Sequence, residues 1–188
     1  MQKEILLVKN NTDEGPGLLE ELLTERNISY HIVDLQIGQP FPEVINYKAV
    51  VVLGGPDSAN DGNEKMVIEL NRIREVLASN KPYLGICLGL QTLVKAGGGK
   101  VVKSLVKEIG LRGPDGQYFS VELTDQGKID PLFRGLEHSL NVFHLHGETV
   151  ELTKDMTLLA TGQFCTNQVV KVGSNAYGIQ CHFELTSP

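Results

Sequence analysis

Uninterrupted apolar runs alternate with amphipathic segments through the first half of the chain. Apolar runs predict buried strands, and leucines or other apolar residues at 3.6-residue spacing predict amphipathic helices. The strands are expected at residues 5–8, 29–35, 49–53 and 82–86, and the helices at 17–26, 64–78 and 88–96. The helix at 64–78 is expected to bury Met66, Val67, Leu70, Ile73 and Leu77. This β-α-β order predicts an α/β fold: a doubly wound, mostly parallel sheet with helices on both faces.

The second half of the chain has a different pattern. Short β-like runs, joined by turns at residues 113–116 and 125–127, occur at residues 100–103, 118–123, 140–144, 157–161, 168–172 and 176–180. They predict antiparallel strands added to the edge of the parallel sheet, together with a small separate sheet. We expect residues 1–188 to form a single domain. No helical pattern follows the last run, which leaves open that a C-terminal helix is missing.

Composition excludes several classes of partner. The 188 residues carry a net charge of −6, and no cluster of Lys and Arg stands out, which argues against a nucleic-acid or anionic membrane surface. The N-terminus has four consecutive apolar residues, too few for a signal peptide or a membrane span. Three widely spaced cysteines form neither a disulfide framework nor a metal-binding pair, so we expect a cytoplasmic protein without a metal site.

The stretch at residues 81–91, K-P-Y-L-G-I-C-L-G-L-Q, places Cys87 between a predicted strand and a predicted helix. Gly85 and Gly89 flank it at two residues on each side, the arrangement of a nucleophile elbow. A helix N-terminus favours the thiolate and leaves the N–H of Leu88 free to bind an oxyanion. Taken alone, the stretch favours a buried structural cysteine over a nucleophile.

A cysteine nucleophile needs a base and an orienting partner for that base. Among five histidines, His182 follows the predicted strand at 176–180, with Glu184 two residues further on and therefore on the same side. Cys87, His182 and the loop Gly54-Gly55-Pro56-Asp57 all follow strands at their C-terminal ends, the edge where doubly wound sheets bind ligands. The pattern predicts one site at this edge.

Three motifs in this order and spacing resemble the signatures of class I glutamine amidotransferases. They are L-G-G-P-D at residues 53–57, G-I-C-L-G-L-Q at 85–91 and G-I-Q-C-H-F-E at 178–184. Further segments are most similar to the GMP-synthase-type glutaminase group. These are V-K-E-I-G at 106–110, D-P-L-F-R-G-L at 130–136, F-H-L-H-G-E at 143–148 and T-N-Q at 166–168.

The resemblance implies a role for each matching residue. Cys87 attacks the side-chain amide of L-glutamine, His182 activates the thiol and protonates the leaving ammonia, and Glu184 orients His182. The N–H groups of Gly55 and Leu88 form the oxyanion hole. The substrate's amino-acid end is contacted by residues equivalent to Gln91, Gly147 and Glu148. The resemblance implies no metal or organic cofactor for this half-reaction, and ammonia passes to a separate ATP-dependent synthetase, with the GMP synthase reaction as the leading assignment.

Two positions depart from the family pattern, which usually has H-P-E where this chain has His182-Phe183-Glu184. Loss of the proline is expected to loosen the turn, and Cys181, where an aromatic residue is common, is expected to be a small buried filler. Two alternatives remain at this point: a γ-glutamyl peptidase on the same scaffold, and a catalytically weak regulatory homologue.

Overall fold

The structure is a computed structural model that describes residues 3–186. Its strands are β1 (Lys3–Lys9), β2 (Tyr30–Asp34), β3 (Tyr47–Val52), β4 (Tyr83–Ile86), β5 (Lys100–Gly110), β6 (Ser120–Leu123), β7 (Ser139–Asn141), β8 (His144–Glu151), β9 (Met156–Gly162), β10 (Val169–Val172) and β11 (Ala176–Ile179). Its α-helices are α1 (Leu18–Glu25), α2 (Glu64–Ala78), α3 (Leu88–Ala96) and α4 (Asp125–Ile129). Short 3₁₀ turns lie at Val44–Asn46 and Pro131–Phe133.

Nine strands form one mixed sheet in the order β2-β1-β3-β4-β11-β10-β9-β6-β7. The first five are parallel, and the remaining four continue the sheet antiparallel. The last strand, β11, therefore lies between the two halves of the chain. This topology confirms the predicted mostly parallel sheet with antiparallel strands added at one edge.

Helices cover both faces of the parallel region, as predicted. On one face, Ile73 of α2 and Leu93 of α3 pack in one cluster with Leu6 of β1. On the other face, Leu19 and Leu23 of α1 pack against a cluster formed by β1, β3 and β4. Because both faces are covered, residues 6–8 of β1 are fully buried, which explains their continuous apolar run.

The buried face of α2 differs from the prediction: Glu69 and Val76 are buried in place of Val67 and Leu77, and Leu77 is only partly buried. Val67 is 48% exposed, whereas Glu69 is fully buried beside Leu70. A carboxylate in a buried helix position interrupts the apolar periodicity, which is why the sequence pattern assigns Glu69 to the solvent face. The inward stripe consists of Met66, Glu69, Leu70, Ile73 and Val76.

The small separate sheet is formed by β5 and β8, which pack on α3 through Val101 and Val150. The predicted strand at 140–144 was wrong: β7 ends at Asn141, and His144 begins β8 instead of ending a strand. Strand β8 was not predicted because its buried positions include the polar residues His144 and His146. The strand predicted at 100–103 continues to Gly110, with a register shift between Lys103 and Glu108.

The turn predicted at 125–127 is instead the start of α4. The side chain of Thr124 caps this helix by accepting a hydrogen bond from the N–H of Gly127, and Asp125 lies in the first turn. Thr followed by Asp is an N-terminal helix signal as well as a turn signal, which accounts for the error. None of the helices in residues 3–186 combines the length and apolarity that crossing a bilayer requires.

Candidate active site

Cys87 occupies the turn between β4 and α3 and is the N-cap residue of α3. Its backbone has φ 54° and ψ −105°, a conformation that non-glycine residues rarely adopt. The flanking glycines allow this turn: a Cβ on Gly85 would lie 2.2 Å from the carbonyl oxygen of Gly89, and one on Gly89 would lie 2.2 Å from that of Val52. The backbone thus has the strained strand-to-helix geometry of a nucleophile elbow.

Strand β11 brings a histidine–carboxylate pair to the elbow. It pairs with β4 in parallel, with Ile179 opposite Ile86, so the residues after both strands emerge at one edge. His182 Nδ1 lies 2.6 Å from Glu184 Oε1, and both side chains are buried. A Cβ placed on Gly54 would lie 3.4 Å from both Cys87 Cβ and His182 Cε1, so the two side chains converge on the same point of the loop after β3.

The histidine in this pair carries a proton readily. Burial opposes the charged ring and is the largest single effect, but interactions with Cys87 and Glu184 together outweigh it and raise the pKa of His182 to about 10. Because a carboxylate only accepts, the Nδ1–H donates to Glu184. The Nε2 atom has no other hydrogen-bond partner among the described residues and is left for the Cys87 sulfur.

Leu88 and Gly55, the two residues expected to supply oxyanion-binding N–H groups, line the same cleft as Cys87. Leu88 is the first residue of α3, so its N–H has no partner within the helix. Gly55 lines the same cleft as Cys87 and Leu88, and a Cβ at this position would lie 2.5 Å from the Cβ of Asn10. The loop after β3 can therefore take its path over β1 only with glycine here.

The cleft has a volume of about 460 Å³, large enough for an amino acid, and it contains most of the predicted site residues. Besides Cys87, Leu88 and Gly55, it is lined by Gln91, Gly147 and Glu148. His182 and Glu184 line an adjoining cleft. The eight residues that the sequence suggested thus lie in two neighbouring clefts at one edge of the sheet.

Three residues that the sequence pattern does not single out also line the cleft. Glu14 follows β1 and Ser58 follows the glycine loop, so both lie at the same strand-end edge. This position after a strand was the one feature of the sequence that could have identified them as site residues. The third, Leu145, lies in β8, with its carbonyl oxygen 3.8 Å from Cys87 Sγ. The Ser58 hydroxyl donates to Glu148 Oε1 at 3.0 Å and joins opposite walls of the cleft.

The other two cysteines are buried away from this cleft. Cys181 packs in the core cluster that contains Phe119 and Leu159, as expected for a small filler. Burial raises the pKa values of both Cys165 and Cys181. Phe183, which replaces the family's proline, is 40% exposed.

A second cluster of titratable side chains lies in the small sheet, and one of its members, His146, also lines the cleft. Glu108, His144 and His146 are buried, and their potential ligand atoms lie within 4.8 Å of one another. Imidazole and carboxylate groups are common cation ligands, but the Oε2 of Glu108 already accepts a hydrogen bond from Gln168 Nε2 at 3.1 Å. The contacts within this cluster point instead to internal pairing.

The sequence matches the family model described as "Glutamine amidotransferase class-I" over residues 7–188. It is 33% identical over 150 residues to the glutamine amidotransferase-like protein YfeJ of Salmonella typhimurium, covering 77% of this chain and 60% of that relative. It is 35% identical over 140 residues to one subunit of the glutamine-hydrolysing GMP synthase of Thermococcus kodakarensis, covering 73% and 66%. The solved glutamine amidotransferase of Methylobacillus flagellatus matches with a TM-score of 0.87 at 27% identity, covering 99% of this chain and 72% of that one. The chain therefore spans less than two thirds of the length of either curated relative.

Proposed function

The chain belongs to the class I glutamine amidotransferase family, and from that premise we propose that it hydrolyses the side-chain amide of L-glutamine through a thioester on Cys87. The observation that carries the proposal is the meeting of the strained elbow cysteine with the His182–Glu184 pair at one sheet edge. An ordinary structural cysteine needs neither the strained backbone nor a buried ion-pair partner.

In the proposed reaction, the Cys87 thiolate attacks the amide carbon of glutamine. The oxyanion that forms is stabilised by the N–H groups of Leu88 and Gly55, a type of interaction typically worth about 3 kcal/mol per donor. Protonated His182 gives its Nε2 proton to the leaving ammonia and then takes a proton from the water that hydrolyses the thioester to glutamate. Glu184 holds the ring in position through the 2.6 Å contact at Nδ1.

The acidic side chains of the cleft suit the α-ammonium group of glutamine. Glu14, Asp57 and Glu148 lie in its lining. Asp57 forms a salt bridge with Lys65 at 2.5 Å, and Glu148 receives the Ser58 hydroxyl, which leaves carboxylate oxygens to accept an α-ammonium group. Gln91, Gly147 and Glu148 are the residues to which we assign the amino-acid end of the substrate.

We further propose that the ammonia is consumed by an ATP-dependent synthetase on a separate chain, in the GMP synthase reaction. The similarity to the GMP synthase of Thermococcus kodakarensis supports this assignment. The three cysteines are free and buried, which suits a reducing cytoplasm. The glycine loop and the turn at Phe183 are the segments that a partner would align, so the isolated chain should turn over slowly.

The test is glutamate and ammonia release by the purified chain, with and without the ATP-dependent synthetase of a GMP synthase and its nucleotide substrates. We expect slow glutaminase activity alone and a partner-dependent increase mainly in kcat, because alignment acts on the transition state. Cys87→Ala is the inactive control. Faster release from γ-glutamyl dipeptides than from glutamine would favour a γ-glutamyl peptidase, and release that no synthetase stimulates would reject the proposed partner.

A further inference from the structure

Three residues that the catalytic proposal leaves without a role converge on one buried point. Glu108 belongs to V-K-E-I-G, His146 to F-H-L-H-G-E and Gln168 to T-N-Q. We infer that the buried Glu108–His146 pair is a positioning device, which fixes the Leu145–Glu148 wall of the cleft and the side chain of Gln91 and thereby sets the affinity for glutamine. This inference rests on the proposed glutaminase function.

The pair is well shielded and closely spaced. His146 Nε2 lies 2.9 Å from Glu108 Oε2, and both side chains are 1% exposed. The amide of Gln168 donates to the same oxygen at 3.1 Å and holds the carboxylate from the neighbouring strand region. Since buried polar groups are costly when unpaired, each of these contacts restricts the others to one arrangement.

Both ring nitrogens of His146 face oxygen atoms. On the side opposite Glu108, Nδ1 lies 3.0 Å from the backbone oxygen of Glu148. A carbonyl only accepts, so Nδ1 carries a hydrogen and donates it to the Glu148 oxygen. The ring therefore cannot flip without breaking both contacts, and it holds the Glu148 carbonyl in place two residues along its own strand.

The held carbonyl in turn orients a side chain in the cleft. Gln91 Nε2 donates to the Glu148 oxygen at 3.3 Å and to Gln180 Oε1 at 3.3 Å, which commits both amide hydrogens. The atom of Gln91 left for a ligand is Oε1, an acceptor suited to an ammonium group. The contacts thus run from Glu108 through His146 to Gln91 without passing through Cys87 or His182.

His144 provides a matched control in the same strand and on the same face. It is fully buried, yet neither ring nitrogen has a hydrogen-bond partner among the described residues. Its Nε2 is 3.9 Å from Glu108 Oε1, and its ring packs edge-on against Phe119 with centroids 5.0 Å apart. Burial lowers the pKa of His144 to about 4, so the ring is neutral near pH 7 and acts as an apolar filler.

The test uses labelling of Cys87 by a diazo-ketone analogue of glutamine, measured as a function of analogue concentration. The half-saturating concentration reports binding in the cleft, and the saturated rate reports the reactivity of the thiol. For His146→Leu and Glu108→Leu we expect the half-saturating concentration to rise about tenfold or more, with the saturated rate within about threefold of wild type. For His144→Leu both should stay close to wild type.

Two further measurements separate positioning from general damage. Alkylation of Cys87 by iodoacetamide, which needs no amino-acid recognition, should be unchanged in all three variants, and each should melt cooperatively. The double variant Glu108→Leu/His146→Leu should bind no worse than either single variant, because the residues act as one unit.

Other results would overturn the inference. Unchanged half-saturating concentrations in His146→Leu and Glu108→Leu would refute it, as would an equal loss in His144→Leu or additive losses in the double variant. Slower iodoacetamide alkylation in the same proportion as analogue labelling would reduce the pair to a general structural role. Wild-type protein that shows no saturable labelling would instead reject the proposed function, and the inference with it.

Discussion

The buried carboxyl of Glu69 makes the free energy of unfolding depend on pH, and the substitution Glu69→Gln should remove this dependence. Glu69 lies on the inward face of α2 and is fully buried; Asn10 Nδ2 donates to its Oε1 at a long 3.4 Å, and Oε2 has no partner among the described residues. Burial, partly offset by Lys65, raises the pKa of Glu69 from 4.5 to about 7. We predict that Glu69→Gln stabilises the protein at neutral and alkaline pH.

The magnitude follows from proton linkage. Between pH 4.5 and about 7, the folded protein keeps the Glu69 proton while the unfolded chain releases it, so the contribution of this group to the free energy of unfolding is lost as the pH rises. At about 1.4 kcal/mol per pH unit, this interval amounts to roughly 3 kcal/mol. Glutamine does not ionise, so the stability of Glu69→Gln relative to wild type should grow by about 2 kcal/mol between pH 5.5 and pH 8.

Urea unfolding followed by circular dichroism at several pH values measures this difference. With a slope of about 2 kcal/mol/M, the midpoint of the variant should move up by about 1 M relative to wild type between the two pH values. Glu75→Gln, an exposed position on the same helix, is the control and should show a change of less than about 0.5 kcal/mol. A stability difference for Glu69→Gln that does not vary with pH would refute the reasoning.

Three further predictions concern the site. Glu184→Gln should lower the pKa of His182 from about 10 and reduce kcat by roughly 10- to 100-fold, with the alkaline limb of the pH–rate profile moved to lower pH; an unchanged profile would contradict it. Phe183→Pro should raise the basal glutaminase rate by stiffening the turn, whereas Phe183→Ala should not; equal rates in the two variants would exclude this role. Iodoacetamide should modify Cys87 before Cys165, whose pKa is raised by burial, and peptide mapping that finds Cys165 first would reverse the choice of nucleophile.

The parallel half of the fold could be predicted because its strands are buried on both faces and therefore appear in the sequence as unbroken apolar runs. The elbow could be predicted as well, since the two glycines around Cys87 are required by backbone contacts of 2.2 Å. What the pattern could not predict is the position of β11 between β4 and β10, because pairing between distant segments leaves no local periodicity.

Two of the wrong predictions, those for β8 and for the inward face of α2, share one physical cause: polar side chains at buried positions. Strand β8 buries His144 and His146, so its hydrophobic alternation is broken and the strand was not predicted. Helix α2 buries Glu69, which the hydrophobic periodicity places on the solvent-exposed face. Burial shifts the pKa values of Glu69 and His144, and the cost of burying His146 is offset by its contacts with Glu108 and Glu148. Such residues are recognisable only once the elements that surround them are placed, and here they include the groups proposed to hold the cleft in shape.

The proposed reaction requires a covalent γ-glutamyl intermediate on Cys87. Acid quenching of the protein during turnover of L-glutamine, followed by peptide mass spectrometry, detects it directly. We predict one γ-glutamyl group on the peptide that contains Cys87, and none when Cys87→Ala is treated in the same way. A γ-glutamyl group on Cys165 or Cys181, or glutamate release by Cys87→Ala at the wild-type rate, would contradict it.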